Sequence, residues 1–206
     1  ISPASQENEL ITHATGHITE LPATVADTIS RAEVENRCQE VVDPESLYEI
    51  ASQQDLVFGP SFRWITALRR GQNEALAKLS LPDTIGSLEG YWLHPGLLDA
   101  CFQAAGATLD EATSTETLLP FRLGRLRVVA AATGQSWWCW VKRTDGTDRT
   151  DRAVWDIRLF DDSGQVLAEI EGFEMRKVPR NAMRQRQLTD WLYEVEWEAK
   201  PLSAQK

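Results

Sequence analysis

His94-Pro95-Gly96-Leu97-Leu98-Asp99-Ala100-Cys101-Phe102-Gln103 opens a helical run that, past its proline, carries one acid, one amide and otherwise apolar side chains. Pro95 suits the first turn of a helix, where its missing N–H costs nothing. Leu97, Leu98, Cys101, Phe102, Ala104 and Ala105 make the run, which extends to Ala107, apolar on most sides. Such a helix is expected at the centre of a fold and not on its surface. Asp99 and Gln103 stand i, i+4 on one face, where the amide can hydrogen-bond the acid. A carboxyl buried among apolar groups holds its proton to higher pH, which suits it to proton donation near neutrality. A single Asp on a solvated helix edge is the plainer alternative, and spacing alone does not choose between them.

Working outward, Asp43-Pro44-Glu45-Ser46 reads as a helix start, with Asp43 as N-cap, and Leu47, Ile50 and Ala51 mark a buried side down to Gln54. Alternating patterns predict strands at 62–69, 74–81 and, briefly, 90–93 ahead of the central helix. Beyond it, strands are expected at 118–129, 136–143, 153–160 and 166–176, with turns at Asp145-Gly146 and Asp162-Ser163-Gly164. Gly59-Pro60 reads as a turn and Phe62 as a core residue. A short strand is expected at 11–18 and another near Val41, with the rest of 20–42 a connector. Strands first, one buried helix, then antiparallel hairpins define an α+β fold. In Trp137-Trp138-Cys139-Trp140 the indoles alternate between faces, so they form packing surfaces and no single stacking platform.

Composition narrows the function classes. A chain of 206 residues can bury one proper core and still carry tails. The net charge of −10 argues against a surface that tracks nucleic-acid phosphates. Arg122, Arg125 and Arg127 form a local basic run, read either as a solvated strand face or as a patch for an acidic partner. No stretch approaches a membrane span, so a soluble cytoplasmic protein is expected. Cys38, Cys101 and Cys139 lack metal-site spacing and read as reduced packing residues, with no metal site.

Two further strings flank the helix: Val57-Phe58-Gly59-Pro60-Ser61-Phe62 before it and Leu119-Pro120-Phe121 after it. In chain order the three resemble YGPxF, HPxxxDxxxQ/H and LPFxW, motifs of the dehydratase domains of modular type I polyketide synthases. Phe58 stands in place of the motif tyrosine and Leu123 in place of its tryptophan. The resemblance implies a hot-dog fold, a curved antiparallel sheet around a central helix, paired with a second repeat so that the active site lies between them. This chain is then expected to be the second repeat, the C-terminal half. Residues 1–20 would hold the terminal strand of the preceding repeat, 21–43 a connector, 44–178 the hot-dog domain and 179–206 a linker into a following synthase domain.

The same resemblance implies that Asp99 and Gln103 are catalytic and that Phe58, Gly59, Pro60, Leu119, Pro120 and Phe121 lie along the substrate. The reaction implied removes water from a β-hydroxyacyl thioester on an acyl carrier protein, leaving an α,β-unsaturated thioester. No cofactor would bind directly, because the substrate rides on the carrier's phosphopantetheine arm. Expected partners are the acyl carrier protein, the N-terminal hot-dog half and a second copy in a homodimeric synthase, with no nucleic acid or membrane. The family base is a histidine in HxxxGxxxxP. His13 has Pro22 nine residues on, but His17 stands where the glycine belongs and Gly16 misses the register by one. His94 is expected to fix the start of the central helix instead. This chain therefore offers an acid without a base, and alone it is expected to be inactive. Two other classes stay open: a non-catalytic hot-dog binding module, and a hot-dog thioesterase or isomerase working with one carboxylate.

Overall fold

The computed structural model describes residues 14–20, 27–54, 56–109, 117–145 and 151–178. Its elements in chain order are α1 (Arg31–Arg37), β1 (Glu40–Val42), α2 (Pro44–Gln53), a 3-10 turn (Pro60–Phe62), β2 (Ile65–Arg70), β3 (Glu74–Ser80), α3 (Pro95–Gly106), β4 (Thr117–Val128), β5 (Ser136–Arg143), β6 (Arg152–Phe160) and β7 (Val166–Val178). The strands form one antiparallel sheet in the order β1-β2-β3-β5-β6-β7-β4. The helix expected at the centre is α3, packed on one face of that sheet.

Strand alternation divides the core in two. On the α3 side lie Ala75, Ala77 and Leu79 of β3, Trp137, Cys139 and Val141 of β5, and Trp155, Ile157 and Leu159 of β6. They close against Leu97, Ala100, Cys101, Ala104 and Ala105 of α3, and the small residues let the helix approach the sheet closely. The opposite face carries a smaller cluster of Leu76, Phe160 and Val166 with the half-buried Trp138 and Trp140, covered by Val34 of α1 and by Cys38, which caps its C-terminus. The tryptophans thus divide between the faces as their spacing predicts. All three cysteines are buried free thiols, and burial pushes the Cys38 thiol up to about 11.

Several expectations need correction. The connector at 21–43 contains α1, a helix with one buried apolar residue, Val34, among charged and polar ones, closed by the buried C-cap Cys38. Residues 14–20 form neither helix nor strand, so the strand expected at 11–18 is not formed over its described part, and 11–13 lie outside the described residues. No strand forms at 90–93 either; Glu89 and Gly90 turn and the chain bends into α3. Phe62 is not core but 47% exposed, because Pro60–Phe62 wind as a 3-10 turn and β2 starts only at Ile65. That turn buries Trp64 in place of Phe62, and the Trp64 indole N–H donates to the Ser61 carbonyl at 2.9 Å. In α2 the fully buried residue is Tyr48, while Leu47, Ile50 and Ala51 are half-buried. Gly146 and the segment 179–206 lie outside the described residues.

Candidate active site

The carboxyl that stood out in the sequence lies in the second turn of α3. That helix is started by His94, whose Nδ1 accepts the Gly96 backbone N–H at 3.1 Å, with Pro95 in the first turn. His94 is therefore used as a cap, and the imidazole also packs on Trp64 and Tyr91. One turn further, Asp99 lies in the lining of an open cavity of about 510 Å³ bordered by α3, α2, the Phe58 loop, β1 and the near ends of β2, β4, β5, β6 and β7.

Gln103 holds the acid. Its Nε2 donates to Asp99 Oδ2 at 2.7 Å and to the Phe62 backbone carbonyl at 3.0 Å. Both bonds use the amide nitrogen, so the side chain cannot flip without losing them. Its Oε1 is left buried with no partner, an acceptor beside the carboxyl. Burial pushes the Asp99 carboxyl above the ordinary aspartate range, and the Gln103 hydrogen bond pulls part of the way back. The surrounding lining is mainly apolar, with Leu47, Leu56, Phe58, Phe102 and Leu118 among it. The arrangement can present a protonated carboxyl to an oxygen atom at the mainly apolar wall of this cavity.

Of the residues singled out from the sequence, Asp99, Gln103, Phe58, Leu119 and Pro120 share this cavity. Gly59, Pro60 and Phe121 do not line it. Gly59 and Pro60 are exposed and start the turn that brings the Phe62 carbonyl to Gln103. Phe121 points out of β4, 59% exposed, under the Arg176 guanidinium. Phe58 packs edge-on to Tyr48. Among the described residues no histidine lines the cavity and no group of side chains could hold a metal ion. Within the basic run on β4, Arg125 pairs with Glu171 and Arg127 with Glu169 across the strand face. Sequence reasoning missed Arg143, Arg152 and Lys177, which also line the cavity and come from strand ends far from any motif. Among the described residues no helix is long and apolar enough to cross a membrane.

A family model described as polyketide synthase dehydratase N-terminal domain matches residues 26–185. The chain belongs to the polyketide synthase dehydratase family. It is 30% identical over 172 residues to polyketide synthase PksL of Bacillus subtilis (strain 168), a match that covers 80% of this chain and 4% of that protein. It is 29% identical over 167 residues to the phthioceranic/hydroxyphthioceranic acid synthase of Mycobacterium tuberculosis (strain CDC 1551 / Oshkosh), covering 78% and 8%. Among solved structures, the dehydratase domain from the CurJ module of curacin polyketide synthase matches with a TM-score of 0.71 and 30% identity, over 75% of this chain and 56% of that one. The dehydratase domain of RzxB from Pseudomonas fluorescens matches with a TM-score of 0.63 and 28% identity, over 74% and 54%. The chain thus spans a small part of the curated synthases and little more than half of the solved dehydratases. Its seven-stranded antiparallel sheet with α3 on one face is the hot-dog fold of these dehydratase domains. Similar structures include inactive mutants of the CurK dehydratase, one with an aspartate replaced by asparagine and another with a histidine replaced by phenylalanine.

Proposed function

We propose that this chain is the C-terminal hot-dog half of a polyketide synthase dehydratase and that Asp99 is the acid in removing water from a β-hydroxyacyl thioester carried on an acyl carrier protein. The observation that carries this reading is a carboxyl with a raised pKa, hydrogen-bonded by Gln103, at the wall of an apolar cavity with no histidine in its described lining. A base from the preceding half takes the α-proton, and the electron pair of that C–H bond becomes the new C=C bond. The β-carbon to oxygen bond breaks, and Asp99 gives its proton to the departing oxygen, so water leaves. Asp99 ends as carboxylate and the base ends protonated; proton exchange with solvent resets both. No cofactor takes part in these steps, since the phosphopantetheine arm belongs to the carrier.

Three observations support the reading of this chain as one repeat of two, without bearing on which. The chain covers 56% of the CurJ dehydratase, as one repeat of two would. The inactive CurK mutants point to one essential aspartate and one essential histidine in that dehydratase. The long edge strand β4 pairs with β7 and exposes Phe121, Leu123 and Leu126 interleaved with Arg122 and Arg125, a mixed apolar and basic edge open to a neighbouring repeat. The test is to join this chain to its preceding repeat and measure dehydration of a 3-hydroxyacyl thioester. Turnover is expected from the joined protein and not from this chain alone, with a loss of about 10²-fold or more in Asp99→Asn. Near-normal turnover in that variant overturns the role of Asp99. Hydrolysis of the thioester by the chain alone would favour a thioesterase.

A further inference from the structure

Two adjacent residues where the 3-10 turn ends hold two parts of the cavity lining in place. The Phe62 carbonyl takes the Gln103 amide N–H and so steadies the acid. The next residue, Arg63, closes the turn with its backbone, where its N–H donates to the Pro60 carbonyl at 3.3 Å, and its side chain turns back along the loop. Its Nε donates to the Phe58 carbonyl at 3.1 Å, and Phe58 shares the lining with Asp99. Residues 56–58 belong to neither helix nor strand, so no ladder keeps the Phe58 backbone in place. Side-chain contacts must do it instead.

The same guanidinium reaches α2. Its Nη1 donates to Glu45 Oε2 in the first turn of that helix at 2.9 Å, and its Cζ stands 4.8 Å from the centre of the Tyr48 ring. Tyr48 is buried, and its phenol oxygen accepts the Ile65 N–H at 3.3 Å. The Phe58 and Tyr48 rings meet edge to face, 6.0 Å between centroids. Arg63 thus bridges the Phe58 loop, the start of α2 and the tyrosine against which Phe58 rests. As a stabilising element it is weak: the Arg63 and Glu45 side chains are 41% and 63% exposed, and an ion pair so open to water contributes little to folding. A planar guanidinium with its donors spread over a carbonyl and a carboxylate, and its face on a ring, is suited to fixing relative position.

We infer that Arg63 is a positioning residue: it holds Phe58 in register with Asp99, so that one turn of chain sets the acid through Phe62 and the aromatic wall through Arg63. Substrate would meet both, and Arg63 acts on it only through Phe58. The inference rests on the dehydratase reading for the identity of the occupant, but it concerns how the wall is held and not turnover.

The experiment titrates 3-hydroxybutanoyl-pantetheine, which this chain alone is not expected to turn over, into the 206-residue chain and into Arg63→Ala, Phe58→Ala and the double variant. Each single change is expected to weaken binding about threefold to tenfold, and the double change no more than Phe58→Ala alone, because Arg63 acts through Phe58. Glu45→Gln removes the ion pair and leaves the Phe58 carbonyl its donor, so it is expected to bind as the native chain does. Arg63→Ala is expected to melt within about 3 °C of the native chain, which separates loss of position from loss of fold. By NMR, the contact of the Phe58 ring with Tyr48 is expected to vanish in Arg63→Ala and to persist in Glu45→Gln. If the probe binds too weakly to titrate, that ring contact alone decides. Additive losses in the double variant, native binding by Arg63→Ala, a melting temperature that falls along with its binding, or a ring contact that survives the loss of Arg63 overturns the inference. Absence of dehydration in the joined protein would sink the dehydratase reading and leave the coupling of Arg63 to Phe58 standing, so the two fail separately.

Discussion

The Gln103 amide nitrogen stands 2.7 Å from Asp99 Oδ2 and, through its second hydrogen, ties the pair to the Phe62 carbonyl. Helix, turn and acid are locked in one geometry by a single side chain. Gln103→Leu removes a bond that favours the carboxylate, so the Asp99 pKa, already raised by burial, rises further. If protonated Asp99 is the active form, turnover falls as pH rises through its pKa. In the variant that descending limb moves to higher pH, while kcat drops on the order of tenfold to a hundredfold because the acid is no longer aimed. A pH–rate profile of the joined protein checks this, and an unmoved limb would remove Gln103 from the acid's control.

Burial of Asp99 also links stability to pH. Its folded pKa lies above the unfolded one, so between the two values the native state holds the extra proton and stability falls as pH rises. The favourable contribution is complete below the ordinary aspartate pKa and is lost as pH climbs through the raised one. Asp99→Asn keeps an acceptor for Gln103 and removes the ionisation. The variant is expected to melt higher than the native chain at about pH 8 and to lose that advantage at about pH 3 to 4. Thermal melts across this range decide it; a variant less stable at the alkaline end would mean that the carboxylate is not held at a cost.

The central helix was legible because its signals are local. Pro95, the apolar run and the i, i+4 pair Asp99 and Gln103 all sit within one dozen residues. The later strands were legible because Ser136–Arg143 and its neighbours alternate cleanly. α1 was not, since seven residues with Val34 as their sole fully buried member give too little periodicity to read, and the helix exists because Trp138 and Trp140 need a cover. Phe62 was misplaced because a 3-10 turn of three residues reverses which aromatic, Phe62 or Trp64, points inward. Arg70, Arg143, Arg152 and Lys177 reach the cavity lining from four different strand ends, a juxtaposition that pairing creates and no short motif records.

Gly96 shows how closely α3 seats on the sheet. A Cβ at this position would meet the Trp64 indole nitrogen at 2.8 Å, and Trp64 is fully buried with its N–H committed to Ser61. Helix propensity favours alanine over glycine by up to about 1 kcal/mol. The clash wins, because neither the helix nor the indole can retreat without opening the core. Gly96→Ala is expected to destabilise the chain by about 1–3 kcal/mol. Urea unfolding measures it, and a stabilised variant would show that Trp64 can give way.

The last expectation concerns the outer face. α1 is too short to persist alone, so its helicity depends on Val34 and Cys38 seating over Leu76, Phe160 and Val166. Around that contact Arg31 lies over Trp138 at 4.9 Å and Arg37 over Trp140 at 5.2 Å, while Glu74 receives both Arg37 and the Trp140 N–H. Val34→Ala removes two buried methyl groups and should cost about 2 kcal/mol. Val34→Asp puts an unpaired charge into the cluster, which detaches α1 and opens Trp138 and Trp140 to water. Trp137 and Trp155, on the other side of the sheet, stay buried. Tryptophan emission is therefore expected to shift partly toward the red in Val34→Asp, with the far-UV circular dichroism of the sheet kept. Loss of the sheet's far-UV signal together with a full red shift would mean that the two clusters unfold as one cooperative unit, against their separation by the sheet.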